Sequence, residues 1–110
     1  MITYDDFLKV DMRVGKIISV EDFPRAIHPS YKVKVDFGPE IGIKSSSVQA
    51  KLNYTIEQMM DRQVVAVVNF PPKNIAGFLS EVLILGVPTE EGGLSLLLPS
   101  LKAKIGGSVY

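Results

Sequence analysis

Asn69-Phe70-Pro71-Pro72-Lys73-Asn74-Ile75-Ala76-Gly77-Phe78-Leu79-Ser80-Glu81-Val82-Leu83-Ile84-Leu85-Gly86 is the stretch on which the reading of this chain turns. It follows the β-branched run Val64-Val65-Ala66-Val67-Val68, which reads as a buried strand, and its end, residues 80–85, reads as another. Between the two, Pro71, Pro72 and Gly77 oppose regular structure, yet Phe70, Ile75 and Phe78 are large and apolar. A loop of that composition suits a recognition surface better than a core connection.

Working outward, Tyr31, Val33, Val35 and Phe37 alternate with Lys32, Lys34 and Asp36, the pattern of a half-buried strand. Phe37-Gly38-Pro39-Glu40 reads as a hairpin turn into a third strand over 41–47, with Ile41 and Ile43 facing in. Upstream, Met12, Val14, Ile18 and Val20 alternate with Arg13, Gly15, Ser19 and Glu21; only Lys16 breaks the period. This predicts a first strand over 12–20, bent near Gly15. Thr3 caps a short N-terminal helix anchored by Phe7, Leu8 and Val10. Thr55 and Gln58 form a capping box for a helix reaching Asp61 and presenting Ile56, Met59 and Met60. Glu90-Glu91-Gly92-Gly93 reads as a turn into a strand over 94–98. No repeat or linker divides the chain, so residues 1–110 are expected to form one domain. Three strands, a helix and two more strands is the OB-fold order. The pattern alone leaves an SH3-like barrel open.

The 69–86 stretch, together with Asp11-Met12-Arg13-Val14-Gly15-Lys16-Ile17 and Val35-Asp36-Phe37-Gly38, resembles the tRNA-binding-domain family of OB-folds. That family occurs in RNA-binding accessory proteins and in domains appended to tRNA synthetases. The loop is more similar still to the family's branch of secretion chaperones called CsaA. The resemblance spans nearly the whole chain and decides between the barrels. It implies an all-β fold with short helices: a five-stranded OB-fold Greek-key barrel with a short N-terminal helix and a C-terminal strand extension. It also implies an ATP-independent chaperone that binds unfolded preproteins for export, with the export translocase motor as a possible partner. The broader family implies tRNA binding, and both branches imply homodimers. The chain departs from the broader pattern at Ile75, where Met is common, and at Val82-Leu83, where Gly-Met is common. It also has Gly42-Ile43-Lys44-Ser45-Ser46-Ser47 in place of an Arg-Gln-Ile-Val-Ser-Gly-like strand.

Composition narrows the chemistry. Lys+Arg and Asp+Glu both number 12, so the field that usually steers a protein to nucleic acid is absent, and RNA binding requires a local patch. There is no cysteine, hence no disulfide, thiol nucleophile or thiolate metal site, which fits a reducing cytoplasm. Residues 1–9 carry Asp5 and Asp6 and no long apolar run, unlike a secretory leader. No stretch approaches the ~20 apolar residues of a membrane span. The lone histidine, His28, sits between Ile27 and Pro29 and reads as a loop residue. The acidic pairs form no dyad, and no phosphate-cradling loop or nucleophile elbow appears. A non-catalytic protein without metal or cofactor is expected.

The expected site is the barrel face beside the 69–80 loop. Phe70, Pro71, Ile75 and Phe78 supply apolar contact and Lys44 a cation for a peptide. Lys44, Ser46, Asn69, Lys73 and Ser80 are the candidates for RNA. Phe70 also follows a buried strand directly, a position that favours core over binding. Lys32 and Lys34 read as a solvated strand face. Leu94, Leu96, Leu97, Leu98, Leu101 and Ile105 are many apolar side chains for the end of a small barrel, which points to a twofold interface.

Overall fold

The computed structural model describes residues 1–110. Its elements run α1 (Tyr4–Leu8), β1 (Met12–Asp22), β2 (Tyr31–Asp36), β3 (Ile43–Val48), α2 (Ile56–Met59), β4 (Gln63–Val67), β5 (Lys73–Ile75), β6 (Phe78–Ser80), β7 (Leu83–Ile84), β8 (Gly86–Pro88) and β9 (Leu94–Leu96). The main sheet has the order β3-β2-β1-β4-β7, and β5-β6 and β8-β9 form separate hairpins. The result is a nearly closed five-stranded OB barrel with α2 between β3 and β4.

β1 makes the barrel curve. Its first half pairs with β4, from Met12↔Val67 to Lys16↔Gln63. Its second half pairs with β2, from Lys16↔Asp36 to Asp22↔Tyr31. The pairing with β2 is interrupted by a bulge between Ile17 and Ser19, so Ile18 is the extra residue. The expected bend at Gly15 is therefore three residues further on. Gly15 has another job: a side chain there would run into Val35 and Phe37. Ile17 is buried and Ile18 exposed by ordinary alternation, and the extra residue shifts the phase so that Val20 packs against the core beyond it.

The C-terminal segment covers the free edge of the first half of β1. Val14 N–H donates to the Gly107 carbonyl at 2.9 Å, Gly106 N–H to Val14 at 2.8 Å, and Val109 N–H to Met12 at 2.9 Å. Arg13 clamps this seam, with Nε on Asp11 at 2.6 Å and Nη1 on Glu40 at 2.7 Å and on the Gly106 carbonyl at 3.1 Å.

The core joins Ile17, Val33, Val35, Phe37, Met59, Val64, Ala66, Ile84 and Leu96, among others. Both capping boxes form, Thr3 with Asp6 and Thr55 with Gln58. The helices are shorter than expected. α2 stops at Met59 because Met60 is already extended, and only Met59 is buried; Ile56 and Met60 face solvent. α1 buries no residue, and Leu8 and Val10 are exposed rather than anchoring it.

Ile43 was expected inside, but it is exposed, and Ser46 and Val48 point inward. The cause is local. Gly42 takes φ +85°, a left-handed residue between Ile41 and Ile43 that interrupts the alternation, so Ile41 still packs against the core while Ile43 does not.

Candidate polymer-binding groove

Beyond Pro72 the stretch is not an irregular loop. Lys73–Ile75 and Phe78–Ser80 fold as a hairpin, registered Lys73↔Ser80 to Ile75↔Phe78. Its two-residue turn has Ala76 at φ 49° and Gly77 at φ 85°, the left-handed pair that a tight hairpin requires. Asn74 Oδ1 accepts the Gly77 N–H at 2.9 Å and fastens the turn. The strand expected over 80–85 breaks in two, because Glu81 and Val82 lie between β6 and β7.

That break stitches β3 to the rest of the barrel. Glu81 N–H donates to the Ser45 carbonyl at 2.8 Å, and Ser45 N–H donates to Glu81 Oε1 at 3.0 Å. Ser47 N–H donates to Ser80 Oγ at 3.0 Å, and Ser46 Oγ donates to the Val82 carbonyl at 3.0 Å. Ser46 and Ser80 are buried. Both were candidate RNA anchors; their hydroxyls instead complete the barrel seam, where an unpaired polar group would be costly. Asn69 is likewise occupied. Its Oδ1 accepts the Asp11 N–H at 3.0 Å and its Nδ2 donates to the Lys9 carbonyl at 2.8 Å. Lys44 lies 4.0 Å from Glu81, so its charge is partly answered within the fold.

Beside the stitched seam lies a groove of about 610 Å³, with Ser47, Ser80 and Glu81 of the seam among its lining. One lip is Phe70, Pro71, Lys73 and Ile75. The other is Ser47, Val48 and Gln49, and Val82, Ile84 and Leu94 lie between. Phe70 is 53% exposed, so its ring is available rather than core. Lys73 is exposed and has no carboxylate within ion-pair distance. Of the peptide candidates, Phe70, Pro71 and Ile75 line the groove, whereas Phe78 and Lys44 do not.

Phe78 is on the other side of the hairpin. Its ring meets Phe23 edge-on at 5.5 Å and 69°. Lys32 Nζ sits over both rings, at 4.9 Å from the Phe23 centroid and 5.4 Å from that of Phe78. Lys32 is thus engaged with aromatic faces rather than being an ordinary solvated lysine. The composition of the loop announced its apolar side chains, but not which side of the hairpin each would take.

Three ionisable groups depart from their ordinary values, and none lines the groove. The Thr3 backbone N–H, then its hydroxyl and Lys9, hold the Asp6 carboxyl below the usual range. A hydrogen bond from Lys51 does the same for Asp22. Bonds to Asp11 and then Glu40 raise the Arg13 guanidinium. No group of three or more His, Cys, Asp or Glu side chains is placed to hold a metal ion, and no helix is long and apolar enough to cross a membrane.

The fold is a small OB barrel with an apolar groove and a lysine at its lip that makes no ion pair, an architecture in which other OB-folds bind oligonucleotides and oligosaccharides. Residues 12–108 match the family model described as a putative tRNA binding domain, and the chain belongs to that family. It is 39% identical over 108 residues to the methionine–tRNA ligase of Pyrococcus abyssi, covering 98% of this chain but only 14% of the ligase. The crystal structure of the CsaA chaperone protein from Picrophilus torridus superposes with a TM-score of 0.93 at 49% identity, covering 100% of both chains. The chaperone CsaA from Bacillus anthracis gives 0.92 at 43% identity, over 100% of this chain and 99% of that one.

Proposed function

We propose that this protein is an ATP-independent chaperone that holds unfolded preproteins for export in the cytoplasm, gripping them in the groove between Phe70 and Gln49. The observation that carries the reading is the groove itself: exposed Phe70, half-buried Ile75 and an apolar floor. Each apolar client side chain buried there contributes up to about 1.5–3 kcal/mol, enough for a loose and sequence-tolerant hold. The likeness over full length to two CsaA chaperones supports it. The translocase motor would be the natural receiver of the cargo.

Lys73 and the family match favour a second reading, in which tRNA occupies the same face. Fluorescence anisotropy separates the two. A labelled, permanently unfolded preprotein fragment is titrated with the protein at physiological salt, and unlabelled tRNA is added. Binding that tRNA does not displace supports the chaperone. Association with tRNA and none with the fragment supports the second reading.

A homodimer belongs to the proposal. Leu97, Leu98 and Leu101 remain 41%, 52% and 81% exposed after the barrel has closed. Two copies would present two grooves to one chain and gain avidity. Solution mass at micromolar concentration is expected at twice 12.1 kDa; a monomer alone removes this element.

A further inference from the structure

We propose that the groove takes its polypeptide as an added β-strand along the open edge of β3, a mode of binding that rests on the chaperone reading above. Hydrogen-bonded partners alternate along a strand. On β3 the Ser45 and Ser47 backbones face away from β2, toward the seam, where Glu81 and Ser80 satisfy them. Gln49 directly follows β3, and the same alternation continued by one residue would turn its backbone toward the seam side, past the last stitch. Neither its N–H nor its C=O has a partner within the protein, and Gln49 is exposed at the lip of the groove. The Val82 N–H, on the groove's lining, has no partner either. The seam is therefore a strand pairing that the fold completes with side chains at one end and leaves unmade at the other.

An extended segment laid against Gln49 would continue that pairing. Its carbonyl and N–H would meet Gln49, and Val82 N–H would take a further carbonyl. Alternate side chains would then drop onto Val48, Ile84 and Leu94. Charge favours the same occupant. Lys73 and Glu81, the charged residues of the lining, cancel, and Lys44 leans on Glu81. A neutral groove complements an uncharged main chain rather than a polyphosphate. Main-chain pairing also explains how a holdase grips without reading sequence.

The test uses a short fluorescein-labelled peptide of alternating leucine and serine, and two derivatives N-methylated at every leucine or at every serine. In a strand the N–H groups of the two sets point to opposite edges. With the full-length protein, one derivative should lose affinity about tenfold or more while the other binds like the parent. Gln49→Pro, which removes an N–H that makes no internal bond, should weaken the parent peptide comparably. If that variant melts early, the two derivatives on the unaltered protein still decide. Equal affinities, or equal losses, for both derivatives overturn strand addition while leaving the chaperone intact. Failure of the unmethylated peptide to bind, with tRNA binding, removes the chaperone reading as well.

Discussion

The gap between β3 and β7 is closed at one end and open at the other, and the two ends use similar residues differently. At the closed end Ser46, Ser80 and Glu81 spend their oxygens on backbone and lie in or beside the core. At the open end Phe70, Lys73 and Gln49 face solvent. Polar residues within a recognition stretch can thus be stitching, while its aromatic residue is the exposed part. Binding and stability should then separate cleanly by position.

The largest expected effect is at the closed end. Ser80→Ala removes the acceptor of the Ser47 N–H and leaves a half-buried donor unpaired. The cost is about 1–3 kcal/mol, which for a domain of this size lowers Tm by several degrees. Thermal unfolding measures it. A Tm within a degree of the parent would mean that the seam does not depend on this hydroxyl, and the contrast between the two ends would collapse.

Sequence reading recovered what rests on periodicity and on local chemistry. The alternation of Tyr31 to Phe37 became β2, and the Thr55–Gln58 box capped α2 as expected. Glu90–Gly93 turned into β9 with Gly92 and Gly93 at positive φ. It failed where a single residue changes the phase. The bulge at Ile18 and the left-handed Gly42 each reverse which side chains face in, and no period-two pattern encodes either. The candidate site suffered from the same cause. Once Gly42 inverts β3, Ser46 points into the barrel, and Ser80 follows because it must meet Ser47. Asn69 is a case of a different kind: its hydrogen-bond partners, Lys9 and Asp11, are remote in the chain, so no local pattern announces them.

Next come two phenylalanines of one hairpin region. Phe70→Ala should leave stability within about 0.5 kcal/mol, as for an exposed site. It should weaken unfolded-polypeptide binding by about 1.5 kcal/mol, or roughly tenfold, because part of the ring is already covered by the fold. Phe78→Ala should do the reverse. It breaks the edge-to-face pair with Phe23 and the Lys32 contacts, at a cost of about 0.5–1.5 kcal/mol to folding, and leaves polypeptide affinity unchanged. Measuring Tm and affinity on both variants checks the pair. If Phe78→Ala weakens binding at unchanged Tm, the recognition surface lies on the Lys32 side and the groove is the wrong face.

The smallest effect tests whether the open end also serves RNA. Lys73 is at the groove lip with no acidic partner, so its charge is available to a phosphate. With formal net charge +0, the protein has little long-range attraction to spare, and each local contact should show in the salt dependence. Losing one phosphate contact reduces the slope of log affinity against log salt by about 0.7–0.9. Lys73→Ala should lower the slope for tRNA by that amount while leaving binding of a neutral unfolded peptide unchanged. An unchanged slope would remove Lys73 from any nucleic-acid interface and leave the open end to polypeptide alone. An equal loss for the neutral peptide would show instead that the lysine's methylene stem packs against the client, because a charge contact cannot act on an uncharged chain.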